Sequence, residues 1–334
     1  MIGHFPHPYP EELFYSVCAR YSEQMQYPTK IAVCDALFGV PNLNVIADFP
    51  TRLKPFSRNL LPGHTLKDMR QIVRYHSQFP YYAPFLPVRR RVPILSIMHV
   101  GPKSGSRLLG SRIPRLNRLK FCPECVNADR IDYGECFWRR VHQIPGIKIC
   151  PTHKIPLYES WSQDLRNYRN EFISAEQAVG GHCFEEIQID IRHYEIHLSI
   201  ACSADWLLKN PGLNINPDVI QRKYHELQDK RGLYKYAGNT KKQKFEKDFI
   251  EMFPPELLAS IGSDLGDDMH GNWLKRIIRT KGSFTDPIRH LLLIHCFGHT
   301  AESFFLSCQT DPSWSPIRRT KVQQSKFSLY KMAT

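Results

Sequence analysis

Cys122 and Cys125 stand three positions apart near the start of "FCPECVNADRIDYGECFWRRVHQIPGIKICPTHK", and Cys150 and His153 repeat that offset near its end. Three thiols and an imidazole make a donor set suited to tetrahedral zinc, so C-x2-C-x24-C-x2-H reads as one closed site. Pro123 and Pro151 follow the first ligand of each pair. Each half is therefore expected to form a knuckle, a tight turn that aims backbone amides at the first sulfur and brings round the second ligand. With four protein ligands no position remains for a reacting water, so the expected cofactor is structural Zn2+, contributing on the order of 10 kcal/mol to folding. Cys136 and His142 lie inside the loop and could substitute as ligands, but neither sits in a knuckle.

Catalytic alternatives find little support. A zinc deaminase needs H-x-E ahead of P-C-x-x-C, and the one H-x-E here, "HYE" at 193–195, follows the knuckles. "GPKSGSR" at 101–107 lacks the Lys-Ser or Lys-Thr that would hold nucleotide phosphate and magnesium. His295 and His299 are one helical turn apart, but residue 296 is Cys where a metalloprotease has Glu. His182, Cys183, His193, His197 and Cys202 could bind a second metal, although their spacing matches no common pattern.

The elements that must position the site read as helices. "YPEELFYSVCARYSEQMQYP" is expected to be helical from about Pro10, with Glu11 and Glu12 at its positive end and Leu13, Val17 and Tyr21 on one face. "TKIAVCDALFG" follows as a second helix stopped by Gly39. Such a pair is either a helix-turn-helix or a packed αα-hairpin. The aromatic-proline run at 79–87 reads as a core plug, and Arg89–Lys120 is Gly/Pro/Arg-rich, with "GPKSGSR" at 101–107 as the expected loop. After Asn210 come "PDVIQRKYHELQDKRGL", "KKQKFEKDFIEMFPPELLASIG", "NWLKRIIRTKG" and a long buried helix, "DPIRHLLLIHCFGHTAESFFLS". The expected fold is mainly α and multi-domain, with helix-turn-helix-like units flanking a small zinc-ribbon or zinc-finger module. The boundaries expected are 1–115, 116–160, 161–310 and a basic tail, 311–334.

Charge suggests the partner. The chain carries a formal +13, and from Met69 to Pro123 there are eleven Lys and Arg without one Asp or Glu. A polyanion matches that surplus best. Arg89, Arg90, Arg91, Arg107, Arg112 and Arg115 are accordingly candidate phosphate contacts. "MIGHFPHPYP" lacks the apolar core of a secretion signal, and no apolar run would span a bilayer. A soluble protein of a reducing compartment, with no membrane partner, is expected.

"FPHPYPEELFYSVCARY", "FPYYAPFLP", the whole Cys122–His153 stretch and "NWLKRIIRTKGSFTDPIRHLLLI" together resemble the TniQ/TnsD family, the target-selection proteins of bacterial transposons. The likeness runs from about residue 5 to about residue 300. It implies Cys122, Cys125, Cys150 and His153 as zinc ligands, with Trp138, Arg139 and "HQIPG" at 142–146 as framework. It also implies a helix-turn-helix-like unit around 10–39 and a DNA-binding-type helical unit after Asn210. Lys235, Lys241, Lys242, Arg276 and Arg279 would there meet phosphate. No intrinsic catalysis is implied. Such a protein marks double-stranded DNA and recruits the AAA+ ATPase TnsC, which brings the transposase, in a bacterial cytoplasm at the nucleoid. Two departures stand out: "YESWSQDLRN" lacks the second C-x2-C pair of many relatives, and attachment-site selectors are usually longer.

Two versions of that role remain open, one reading an attachment site directly and one docked on a CRISPR effector whose guide RNA supplies the sequence. Phosphate contacts position a protein without specifying sequence, so charge alone does not choose between them. Functions of other classes are a zinc-dependent DNA-processing enzyme and a zinc-ribbon transcription regulator.

Overall fold

The computed structural model describes residues 2–41, 43, 49–101, 118–160, 172–181, 183–213, 215–230, 239–266, 272–279 and 286–309. Helices dominate. The first unit holds α1 (Phe14–Gln24), α2 (Lys30–Phe38), α3 (Leu53–Asn59), α4 (Met69–Tyr75), α5 (Phe79–Tyr82) and α6 (Val88–Val100). Leu13, Val17 and Tyr21 are buried, as the spacing demands. The helix itself starts later than the sequence suggests. Glu11 takes a left-handed φ of 63°, and Glu12 turns inward instead of facing a helix terminus. Thr29 caps α2 by accepting from the Ala32 amide, and Gly39 ends it at φ 65°. α1 is buried along most of its length, α2 packs on α3, and the Phe14 ring of α1 meets Phe38 of α2 edge-on. The aromatic run is a core plug, with Phe79, Tyr81, Tyr82 and Phe85 all buried.

The Gly/Pro/Arg-rich stretch opens with a helix, α6, over residues 88–100; residues 102–107 of the expected loop lie outside the described residues. Ile94, Leu95 and Met98 supply a buried stripe against α3 that outweighs the missing amide of Pro93.

A small antiparallel sheet follows, of β1 (Lys120–Phe121), β2 (Tyr158–Ser160) and β3 (Phe184–Glu186), in that order. Phe121 lies opposite Tyr158, and Ser160 opposite Phe184. Between β1 and β2 runs α7 (Pro123–Tyr133); α8 (Ala175–Gly180) precedes β3. The longest described helix is α9 (Tyr194–Lys209), which no motif announced. It packs against α4 and α5 on one side. On the other it meets the last two described helices, α14 (Pro287–Cys296) and α15 (Ala301–Gln309). Before these come α10 (Pro217–Lys230), α11 (Asn239–Met252), α12 (Pro255–Ser260) and α13 (Trp273–Arg279).

The expected final helix is thus two, bent by 86°, because Gly298 takes a φ of 81°. No single described helix is long and apolar enough to cross a membrane. Buried residues from the described helices and β1 form one continuous hydrophobic cluster, with Tyr158 and Phe184 of the other two strands packed against it.

Candidate metal centre

Cys122 caps the N-terminus of α7, and Cys125 lies in its first turn behind Pro123 at N1. The first half of the site is therefore a helix start, where Pro fits and the positive end of the dipole favours thiolate. The second half is the tight turn expected. The His153 amide donates to Cys150 Sγ at 3.4 Å and the Lys154 amide to Cys150 O at 2.8 Å, with Lys154 in a left-handed conformation. Residues 149 and 156 pair across this turn and fix its mouth.

These two halves bring Cys122, Cys125, Cys150 and His153 together, with all four donor atoms within 4.8 Å of one another. A zinc tetrahedron with ordinary bond lengths has edges of about 3.8 Å between sulfurs and about 3.6 Å between sulfur and nitrogen. Cys125 Sγ lies 3.7 Å from Cys150 Sγ. His153 Nδ1 lies 3.5, 3.3 and 3.8 Å from the sulfurs of Cys122, Cys125 and Cys150. The donor types and the spacing fit a tetrahedral metal ion. The three cysteines are buried, and hydrogen bonds from Cys122 and Cys125 pull the Cys150 thiol well below its ordinary range. Cys136 and His142 stay outside the cluster. No second metal-binding group occurs among the described residues; His182 lies outside them.

A surrounding layer of charge supports the ligands. Three thiolates on a divalent cation would leave a net negative charge, and the Arg139 guanidinium bears electrostatically on Cys125 and Cys150. Burial opposes its charge, but Cys125 and Asp129 hold the guanidinium above its usual range. Arg139 also pairs with Asp129 of α7 and lies 4.9 Å over the Phe137 ring. Burial raises Asp129 to about 6, partly offset by Arg139. Fully buried His142, pushed below its usual range by desolvation, interacts with the Cys150 sulfur from behind. Such outer partners orient ligands and tune their basicity.

The module is stapled to the helices on both sides. Arg20 of α1 bonds Glu12 at 3.1 Å and Glu135 at 2.8 Å, while lying 3.9 Å from the Tyr9 ring centroid. Trp138, fully buried, donates Nε1–H to Ile173 O at 2.8 Å and receives the Leu13 amide at its carbonyl. Arg140, equally buried, reaches Glu11 at 2.7 Å and the carbonyls of Arg74 and Ser77 at 2.9 and 3.2 Å. Lys120 donates to Ile144 O and Ile147 O, at 2.9 and 2.7 Å, inside the loop that separates the ligand pairs.

Comparison with known proteins follows the same layout. The TniQ family model matches residues 4–157, and the model described as Tn7-like transposition protein D, TnsD, matches residues 200–316. The chain belongs to the TniQ/TnsD family. The TniQ match contains all four clustered donors together with Arg20, Lys120, Trp138 and Arg140, while Ile173, which Trp138 reaches, lies beyond it. The TnsD match begins inside α9 and takes in the helices after it. Transposon Tn7 transposition protein TnsD of Escherichia coli is 25% identical over 303 residues, which are 86% of this chain and 56% of that protein. The chain thus spans little more than half the length of this curated relative.

The basic candidates scatter more widely. Arg89 and Arg90 are exposed on the first turn of α6, and Arg276 is exposed on α13. Arg91 is buried, its guanidinium donating to Leu86 O at 2.8 Å and Ile215 O at 2.7 Å. It joins α6 to the segment before α10 and is withdrawn from the surface where phosphate would sit. Arg107, Arg112, Arg115 and Lys235 lie outside the described residues, as do the side chains of Lys241, Lys242 and Arg279. The motif reading missed Arg20, Glu135 and Arg140. Charges beside the buried aromatics of "GECFWRR" were the one available signal, and their partners sit 115 or more residues away.

Proposed function

We propose that this chain is a target-site selection adaptor of DNA transposition. It binds double-stranded DNA and recruits an AAA+ ATPase of the TnsC kind. Cys122, Cys125, Cys150 and His153 hold a structural Zn2+ between its helical units. The observation that carries this reading is the TniQ match followed by the TnsD match on one chain, with the metal cluster inside the first. The relative named a Tn7 transposition protein supports it.

The site's chemistry supports a structural ion. Four protein donors close the tetrahedron, and Trp138 and Arg140 fasten the loop between them to flanking helices. An ion so enclosed has no open position for a reacting water. The adaptor performs no bond chemistry and leaves that to the transposase. Its net charge of +13 supports contact with a polyanion, at the bacterial nucleoid.

The test is selection from sheared genomic DNA with the purified, zinc-loaded protein near physiological salt. One enriched site establishes direct reading. Uniform weak binding assigns sequence choice to a docked partner, a CRISPR effector being the version to test next. No DNA binding together with no ATPase recruitment refutes the adaptor, and metal-dependent cleavage by the protein alone replaces it with an enzyme.

A further inference from the structure

The outer edges of the small sheet are finished differently. On β1 the outward amide and carbonyl of Lys120 are both taken by the Gln143 side chain, at 2.9 and 2.7 Å. On β3 nothing comparable closes the edge. The Ile187 amide donates to Leu157 O, so in the antiparallel register Glu185 and Ile187 turn their backbone groups toward β2. Phe184, Glu186 and Gln188 therefore turn theirs outward. Among the described residues one hydrogen bond reaches these outward groups, at 3.3 Å from the exposed Gln188 side chain to Glu186 O. Among the described strands β3 pairs with β2 alone. A row of open amides and carbonyls of this kind is a template for a further strand.

The side chains along the edge say which strand fits. Glu185 is exposed, forms no ion pair among the described residues, and stands directly opposite Glu159 in the register. Like charges so placed repel, and a cation beside them relieves the repulsion. On the other side of the sheet Phe184 is half-buried, its ring 5.3 Å from Phe121 and 5.9 Å from Tyr158, and it offers an apolar seat. Glu186 adds a second exposed carboxylate. From Phe172 to Ile191 the sequence holds Glu176, Glu185, Glu186 and Asp190 and no Lys or Arg, inside a chain of net charge +13. A second copy of β3 would set its own acids against these. The same charges that blunt the edge against such pairing favour a basic strand.

We propose that the free edge of β3 docks an extended, basic segment of a partner protein. It adds as a fourth strand, with lysine or arginine beside Glu185 and an apolar side chain beside Phe184. The outward groups at residues 184–188 span about 13 Å, enough for a short strand of this kind. The inference stands apart from the adaptor reading, since the partner is a protein and its docking needs no DNA.

The test titrates the zinc-loaded chain into a fluorescent seven-residue peptide of alternating lysine and valine and follows anisotropy. The same peptide N-methylated throughout keeps the charges and side chains but can donate no backbone hydrogen bond. A glutamate–valine peptide reverses the charge. Saturable binding of the first probe, lost with both others, is expected, together with slower deuterium uptake across residues 184–188 in the complex. E185Q/E186Q should bind the lysine peptide about tenfold more weakly at low salt, with zinc content and circular dichroism unchanged. No saturable binding of the lysine peptide overturns the inference, and so does unchanged affinity in the double variant. Equal binding of the N-methylated peptide reduces the contact to charge alone and overturns it too, as does protection confined to other segments. Self-association of the chain that excludes the peptide overturns it by giving the edge to a second copy. None of these results touches the adaptor reading, which the DNA selection tests.

Discussion

Replacing Gly146 with alanine tests whether the metal-bearing loop is seated on the C-terminal helices as described. Gly146 ends the "HQIPG" turn at a φ of 81°, a left-handed conformation that costs an alanine about 1–2 kcal/mol. An added Cβ would fall inside van der Waals contact with Ile288 Cδ1 and lie 3.0 Å from Ile261 O. Ile288 is 2% exposed on α14, so its terminal methyl can move only into packed core, and the Ile261 carbonyl is backbone. Overpacking of this sort costs about 1–3 kcal/mol. The sum, about 2–5 kcal/mol, is a large share of the stability of a typical domain. Urea titration followed by circular dichroism should show a loss of that size. I288V removes the clashing methyl and alone should cost about 0.5–1.5 kcal/mol. In the alanine background it should recover part of the loss, giving a coupling of about 1 kcal/mol or more. A loss below about 0.5 kcal/mol in G146A, or strict additivity of the pair, would refute the close approach of loop and helix.

Three further outcomes follow from the same structure. C150S should lose bound zinc and unfold at lower temperature, and cobalt substitution of the unaltered chain should give the absorption of a tetrahedral three-thiolate site; a metal-free, fully stable variant would refute the assignment. R140M strands Glu11 and two carbonyls that the guanidinium now serves, so it should cost about 3–5 kcal/mol in chemical denaturation, and a neutral effect would dismiss the staple. Burial raises Glu12 from its ordinary 4.5 to about 7, against the pull of Arg20. The folded state thus prefers the protonated acid, and the stability this gives is fully present below about pH 4.5 and lost as pH rises through about 7. The loss amounts to about 3 kcal/mol. E12Q should flatten that slope of stability against pH, and an unaltered slope would exclude Glu12 as its source.

How far the sequence alone reaches depends on whether a feature is local. The four clustered donors were legible because each pair closes within three residues, so spacing and donor type suffice. The Leu13–Val17–Tyr21 face and the stop of the second helix at Gly39 were legible too. What needed the tertiary structure was long-range. No helix was foreseen among the prolines and arginines of 88–100, but Ile94, Leu95 and Met98 find α3 and the segment folds as one. The apolar run at 287–309 looked continuous, yet Gly298 bends it so that both halves pack on α9. Counting charge made Arg91 and Arg89 equivalent. Packing buries one against Leu86 and Ile215 and leaves the other at the surface. A guanidinium's partner can be any carbonyl or carboxylate that folding brings within about 3 Å, and for Arg140 that partner is 129 residues away. Sequence determined which residues can bind a metal; tertiary packing decided which cations brace the fold and which face outward.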